Sequence, residues 1–290
     1  MKKWGFLIFI LILISIAVIT NHDIFQEIVD IQEIQQKDNY KKTSESQKRI
    51  EITEDQIYKG DLILVNSEYP VQRDSIKSDI VNLFTHRKLT KGYGLLDNEI
   101  KLSEEIALEF SKMITAAKKD GVVHFIINSG FREFEEQGSL YLEMGEDYAL
   151  PAGYSEHNLG LSLDVGSTED HMYEAAEGEW IEKNAWKYGF ILRYPKDKTE
   201  VTGIQYEPWH IRYVGLPHSA IMKEKNFALE EYLNYLKKEK NISVGYKDSD
   251  YTINYYPVTQ SRTIDVSKDN NYEISGNNMD GVIVTNLDDN

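Results

Sequence analysis

Residues 155–164 have the sequence SEHNLGLSLD, and this stretch decides how the rest of the chain is interpreted. Its second half alternates between leucine and polar residues, which is typical of a half-buried β-strand. We therefore predict a strand over 161–165, with Asp164 on one face and the leucines on the other. A turn at Gly160 would then bring the ring of His157, just before the strand, over the Asp164 carboxylate.

A second polar cluster, Glu207-Pro208-Trp209-His210, lies at the start of another predicted strand over 209–214. Proline cannot donate a hydrogen bond to a strand ladder, so Pro208 predicts a bend there. The bend places Glu207, three residues before His210, where its carboxylate can reach a group bound by the histidine.

The chain contains no cysteine, so a metal ion would have to be held by histidines and carboxylates. A catalytic zinc ion uses three such ligands and leaves one position for water. The candidate ligands are His157, Asp164 and His210, and Glu207 could accept the proton of the bound water and pass it to a leaving amine. The alternative is that each pair occurs by chance, with Glu207 a surface carboxylate and His157 a loop histidine in a hydrogen bond.

A third motif, SGFR at 129–132, directly follows the apolar stretch VVHFIIN at 122–128. An arginine where a strand turns into a helix can offer its planar guanidinium to a carboxylate or to a developing oxyanion. This makes Arg132 a candidate for substrate binding. The alternative is an ion pair with one of the glutamates that follow, Glu133, Glu135 or Glu136.

Composition and missing motifs exclude several classes of protein. The 32 lysines and arginines stand against 48 aspartates and glutamates, a net charge of −16 that disfavours nucleic acid as a partner. The chain has no HExxH motif of helix-borne zinc proteases, and no SxxK or KTG motif of active-serine cell-wall peptidases. A hydrolytic site would therefore have to be built from the three motifs above.

Helical and strand patterns alternate irregularly through the middle of the chain, which favours an α+β fold. The clearest helix covers 103–118, with Ser103 as its cap and Gly121 as its stop. Further helices are predicted at 132–144, 178–188 and 227–239, and further strands at 62–65, 122–128 and 190–193. We take residues 56–240 as one domain.

Residues 241–290 have a different pattern, with short alternating runs at 251–258, 263–266, 272–274 and 282–285. We predict a small β appendage without catalytic motifs. Its role is open, and binding of a partner is one hypothesis.

The N-terminus contains an uninterrupted apolar run over 4–20, preceded by Lys2 and Lys3. A span of about 17–25 residues can cross a bilayer, and the two lysines favour a cytoplasmic N-terminus. We therefore predict a single-pass membrane anchor over 1–20, a polar tether over 21–55 and a catalytic domain outside the cell. The alternative is a cleaved signal peptide.

The three motifs, in this order, resemble those of the VanY-type zinc D-alanyl-D-alanine carboxypeptidases. The resemblance covers about residues 56–236 and is strongest in PAGYSEHNLGLSLDVGS and GIQYEPWHIRYVGLPHSAIMKEKNF. It implies a small antiparallel sheet with flanking helices that holds one zinc ion per chain. By position it assigns His157, Asp164 and His210 as the ligands, Glu207 as the catalytic base, Arg132 as a catalytic and substrate-binding residue, and Gln137 and Ser155 as residues that hold the substrate terminus.

The resemblance also implies a substrate, the peptidoglycan pentapeptide stem that ends in D-Ala-D-Ala. Removal of the last D-alanine would destroy the dipeptide that vancomycin binds. An L,D-carboxypeptidase or a cell-wall endopeptidase with the same zinc chemistry is the alternative within enzymes, because stereochemical choice depends on pocket shape. A wall-binding or signalling module with a structural metal site is the alternative outside enzymes.

Overall fold

The computed structural model describes residues 29–33, 47–145, 149–269 and 271–288. The predicted membrane anchor over 1–20 lies outside these ranges. Within them, no helix combines the length and the apolar character that a bilayer span requires.

The helices and strands alternate through the middle of the chain and give way to strands at its end. The helices are α1 (Glu104–Lys119), α2 (Phe134–Met144), α3 (Ala176–Asn184), α4 (Thr199–Thr202), α5 (His218–Lys225) and α6 (Leu229–Glu239). The strands of the first part are β1 (Val29–Glu33), β2 (Gln47–Ile52), β3 (Ile80–Asn82), β4 (Gly94–Leu95), β5 (Lys101–Ser103), β6 (Phe125–Ser129), β7 (Ser162–Ser167), β8 (Phe190–Leu192) and β9 (His210–Tyr213). The C-terminal strands are β10 (Asn241–Tyr246), β11 (Ser249–Pro257), β12 (Arg262–Ser267), β13 (Tyr272–Gly276) and β14 (Gly281–Asp288).

A central five-stranded sheet has the order β4-β6-β7-β9-β8 and is antiparallel except for the parallel pair β4 and β6. In its register Asp164 pairs with His210 on one side and with Ser129 on the other. Three segments that are distant in sequence therefore meet at one level of the sheet. The predicted mixed fold with an antiparallel sheet is confirmed.

Helix α1 covers one face of this sheet and agrees with the predicted helix over 103–118. The Ser103 side chain accepts a hydrogen bond from the Ile106 amide at 3.4 Å and caps the helix. Its apolar face packs into the main hydrophobic core, which also contains Leu163 and Val165 of β7. Burial of each large side chain contributes about 1.5–3 kcal/mol. The buried residues of the helix are Ile106, Ala107, Phe110, Met113, Ile114 and Ala117.

The predicted strand over 62–65 is wrong, although all four of its residues are buried. Their main chain is satisfied largely by side chains instead of a neighbouring strand. Arg212 donates to the Ile63 carbonyl at 2.8 Å, and Asn278 donates to the Leu64 carbonyl at 2.8 Å. An apolar run of four residues shows burial but does not reveal which groups satisfy its backbone.

Four of the C-terminal strands, together with β1, form a second five-stranded antiparallel sheet with the order β1-β10-β11-β14-β13. All four strands predicted between 251 and 285 are present. One face of the sheet packs against α5 and α6, so residues after 241 share a hydrophobic cluster with the preceding domain. The members from α6 and β10 are Leu229, Tyr232, Leu233, Leu236, Ile242, Val244 and Tyr246.

The predicted polar tether over 21–55 needs correction, because it contains β1 and β2. Strand β1 pairs with β10 at the edge of the C-terminal sheet, and β2 pairs with β12 in a separate ribbon. Edge strands are held largely by main-chain hydrogen bonds and need few apolar residues, here Val29 and Ile52. This is why a polar composition did not reveal them.

His218 connects the two parts of the fold. Its Nδ1 lies 2.7 Å from the Tyr232 hydroxyl of α6, and its Nε2 lies 3.0 Å from the Thr285 hydroxyl of β14. Burial lowers the pKa of His218 to about 3, so the ring is neutral in the folded protein at neutral pH.

We expect the His218→Gln substitution to make the stability less dependent on pH. Below the unfolded pKa of about 6.5, the unfolded chain binds a proton that the folded chain excludes. The free energy of unfolding therefore falls as the pH decreases from there toward the folded pKa, by up to about 1.4 kcal/mol per pH unit. Urea unfolding of both proteins between about pH 4 and pH 7 measures this slope. Equal slopes would contradict the assignment.

Candidate metal centre

His157 is brought to the sheet by a 3₁₀ turn over Glu156–Asn158, just before β7. Gly160 ends the turn with a φ of +84°, and a Cβ there would lie 2.5 Å from Ile80 Cδ1. Only glycine suits that position. The turn carries His157 Nε2 to 3.3 Å from Asp164 Oδ2, which is the arrangement predicted from the alternating strand.

The other ring nitrogen of His157 is fixed by the main chain. Its Nδ1 lies 2.6 Å from the Gly130 carbonyl oxygen, which can only accept. Gly130 itself fits closely, because a Cβ there would lie 2.1 Å from the Lys101 carbonyl oxygen. The Nδ1 atom therefore carries the proton, and the lone pair of Nε2 points toward Asp164.

His210 completes the cluster from the neighbouring strand. Its Nδ1 lies 3.0 Å from Asp164 Oδ1, and its ring centroid lies 5.0 Å from that of His157. The three side chains offer donor atoms within 4.8 Å of one another, and they are the only such group of three or more within the described ranges. Both imidazoles are buried, with exposed fractions of 5% for His157 and 4% for His210.

Charges in the cluster depend strongly on one another. Burial alone would raise the pKa of Asp164, but His157 and His210 hold it well below its ordinary value. Burial alone would lower the pKa of His210, but Asp164 and Glu156 raise it to about 9. The two imidazoles and one carboxylate therefore favour a positive charge between them, and a divalent cation there would displace the proton of His210.

Glu207 lies beside the cluster without belonging to it. Its Oε2 is 4.0 Å from His210 Nδ1, and its side chain keeps 29% exposure. Its amide donates to the Tyr194 carbonyl at 3.1 Å, and its carbonyl accepts from the His210 amide at 3.2 Å, as expected for a bend at Pro208. Burial raises the pKa of Glu207 above its ordinary value. A partly buried carboxylate with a raised pKa suits proton transfer.

Arg132 points toward the same site from the loop after β6. Its guanidinium donates to Ser129 Oγ at 2.9 Å and to Gln137 Oε1 at 2.6 Å. Among the described residues no salt bridge joins Arg132 to Glu133, Glu135 or Glu136, although the charge of Glu136 still attracts the guanidinium. Burial lowers the pKa of Arg132, against the attraction of Asp164.

Gln137 and Ser155 are both nearly inaccessible, with exposed fractions of 1% and 7%. The Gln137 amide accepts from Arg132 and donates to the Leu150 carbonyl at 2.6 Å, so both ends of the amide are used. The Ser155 hydroxyl accepts from the His157 amide at 3.4 Å and caps the 3₁₀ turn. In these positions the two side chains orient Arg132 and His157.

A buried network of ionised side chains behind the cluster was missed from the sequence. It consists of Glu156, Arg193, Arg212 and Glu230. Arginines inside predicted core strands were the available indication, because a buried charge requires a partner. The partner in each case lies more than 35 positions away in sequence, so its identity could not be inferred.

The donor set of the cluster suits zinc, which takes three ligands from the protein in catalytic sites and leaves one position open. The second nitrogen of His157 is already anchored, as in most metal-binding histidines. A cavity of about 180 Å³ is lined by residues that include Asn128, Val165, Tyr173 and Trp209, and by none of the three cluster residues. Val165 follows Asp164 in β7 and therefore faces the opposite side of the sheet, so its presence in the lining does not place this cavity at the metal cluster.

Comparison with known proteins shows which family this chain resembles. Residues 99–216 match the family model described as VanY: D-alanyl-D-alanine carboxypeptidase. A D-alanyl-D-alanine carboxypeptidase of Enterococcus faecium is 62% identical over 98% of this chain and 96% of its own length.

Solved structures of vancomycin resistance peptidases are also similar to this chain. The vancomycin resistance D,D-dipeptidase VanXYg, in complex with a D-Ala-D-Ala phosphinate analogue, matches with a TM-score of 0.73 at 31% identity, over 83% of this chain and 99% of its own. A vancomycin resistance D,D-pentapeptidase VanY of the VanB-type cassette, in complex with Zn(II), matches with a TM-score of 0.50 at 30% identity, over 60% of this chain and 99% of its own. From the extent of these matches, the chain belongs to the VanY family of D-alanyl-D-alanine carboxypeptidases, which are hydrolases.

Proposed function

We propose that this protein is a zinc-dependent D,D-carboxypeptidase that removes the C-terminal D-alanine from peptidoglycan pentapeptides and so contributes to glycopeptide resistance. The observation that carries the proposal is the convergence of His157, Asp164 and His210 beside the separate carboxylate of Glu207. The family membership and the zinc found in a similar structure support it.

The three clustered side chains would hold one zinc ion, which when bound polarises a carbonyl group and lowers the pKa of a water molecule to about 7. Glu207 accepts the proton of the attacking water and delivers it to the amine of the departing D-alanine. Its partial exposure leaves it accessible from the substrate side. Its raised pKa favours holding that proton between the two transfers.

Arg132 binds the negatively charged end of the substrate through its guanidinium. Hydrogen bonds to Ser129 and Gln137 fix the plane of that group before the substrate arrives. Such fixed orientation reduces the entropy lost on binding. Gln137 and Ser155 contribute by orienting Arg132 and His157.

The presence of Glu207 favours an enzyme over a module with a structural metal, because a structural site does not need a base. The choice between D,D and L,D specificity depends on the shape of the substrate pocket.

The N-terminal segment is proposed to anchor the protein, with residues 1–20 crossing the membrane and the catalytic domain outside. The support is the apolar run after Lys2 and Lys3. We expect the protein to be found in the membrane fraction. We also expect protease added to intact protoplasts to cleave it. Release of the whole protein into the medium, or full protection from protease, would contradict the proposal.

The substrate proposal predicts which peptide is cut. Purified protein should release D-alanine from a pentapeptide ending in D-Ala-D-Ala and leave the tetrapeptide intact. A strong chelator should abolish release, and added zinc should restore it. Faster release from the tetrapeptide would indicate an L,D-carboxypeptidase, and activity that survives metal removal would contradict the zinc centre.

The proposed role of Glu207 predicts that its substitution lowers turnover without loss of zinc binding. The Glu207→Gln variant should keep its zinc, since Glu207 is not a proposed ligand, while kcat falls by about 10²–10⁴-fold because the proton acceptor is lost. Metal analysis and D-alanine release measure the two effects. Glu200→Gln, at an exposed position on α4, is the matched control and should retain activity. Unchanged turnover in Glu207→Gln would remove that residue from the mechanism.

A further inference from the structure

Glu156 lies directly behind His210, on the side away from Asp164. The Nδ1 atom of His210 faces the metal cluster, so its Nε2 points into the protein interior. That nitrogen is buried and has no hydrogen-bond partner within the described part of the chain. Glu156 Oε2 faces it at 3.5 Å, and the glutamate itself is 1% exposed. A buried ring nitrogen is therefore aimed at a buried carboxylate.

The carboxylate of Glu156 is held firmly from the other side. Its Oε1 accepts from Arg193 Nε at 2.8 Å and from Arg212 Nη1 at 2.7 Å. Ser162 donates to Oε2 at 3.1 Å, and Oε2 is the oxygen that faces His210. Two arginines thus occupy one oxygen and leave the other directed at the imidazole.

The network continues outward to α6. Arg193 donates through both terminal nitrogens to Glu230, at 2.9 Å and 2.6 Å. Arg212 donates to the carbonyl oxygens of Asp61 and Ile63 at 2.9 Å and 2.8 Å. These contacts fix the two guanidinium groups, and through them they fix the position of Glu156.

We propose that Glu156 is a positioning residue that accepts a hydrogen bond from the Nε2–H group of His210. The proton is thereby kept on Nε2, and the lone pair of Nδ1 is left for the metal. The inference rests on the metal centre proposed above and adds the group that sets the ring's tautomer and orientation. Histidines that bind metals usually donate their other N–H to a carboxylate or a carbonyl, and loss of that partner costs about 10–100-fold in metal affinity.

The two histidines of the centre are oriented in different ways. His157 is oriented by the main-chain carbonyl group of Gly130, which no side-chain substitution removes. His210 depends on a side chain and presents the opposite nitrogen to the cluster. A single substitution at position 156 therefore acts on one metal ligand and leaves the other in place.

The test compares Glu156→Gln with Glu230→Gln. Both substitutions neutralise a carboxylate of the same network, but only Glu156 faces His210. Zinc affinity, measured by competition with a chromophoric chelator, should fall by about 10–100-fold in Glu156→Gln and stay near the wild-type value in Glu230→Gln. If Glu156 were only structural, both variants would unfold more easily and zinc affinity would be unchanged in both, which would overturn the proposal.

A second measurement uses the wild-type protein, so that it does not depend on whether a variant folds. In zinc-loaded protein labelled with ¹⁵N-histidine, NMR should show a proton on Nε2 of His210 and none on Nδ1. A proton on Nδ1 would overturn the inference. If the wild type and Glu156→Gln bind zinc equally well, the role of Glu156 is refuted while the metal centre stands. If the wild type binds no zinc, the metal centre is refuted as well.

Discussion

The antiparallel register of β7 and β9 sets Asp164 directly opposite His210. Side chains at paired positions on one face of a sheet lie about 4.5–5.5 Å apart at their Cβ atoms, which is the spacing that a shared cation requires. A shift of one residue would turn one of the two side chains to the opposite face, among the core leucines. Leu163 and Val165 of β7 lie in the same hydrophobic core as the apolar face of α1, so burial of this face fixes the register on which the proposed metal centre depends.

Most of this arrangement could be predicted because its determinants are local. The alternation after Gly160 predicted the face of Asp164, and the proline in EPWH predicted the bend before His210. The helix after Ser103 was predicted from its cap and its apolar spacing, both of which lie within sixteen consecutive residues. The pairing of the two strands was not available from spacing alone, and the resemblance to a known family implied only that an antiparallel sheet holds the three ligands.

The features that were missed depend on partners far apart in sequence. Strand β1 contains two aliphatic residues and forms only because β10, more than two hundred positions later, offers an open edge. The segment Leu62–Val65 is buried without becoming a strand because Arg212 and Asn278 bind its carbonyl groups. A sequence pattern reports burial and period, whereas such side-chain contacts to the main chain depend on the complete fold.

Glu156 and Glu207 show how one residue type serves two purposes near the same histidine. Burial alone would raise the pKa of both carboxyl groups. Beside Glu156, Arg212 and Arg193 outweigh that effect and hold its pKa well below the ordinary value, so it stays ionised and serves as a fixed acceptor. Glu207 has no arginine among its electrostatic partners, its pKa is raised, and it can take up and release a proton. Because the two environments move the pKa values apart, the carboxylate proposed to orient His210 would not compete for the proton that the proposed reaction transfers.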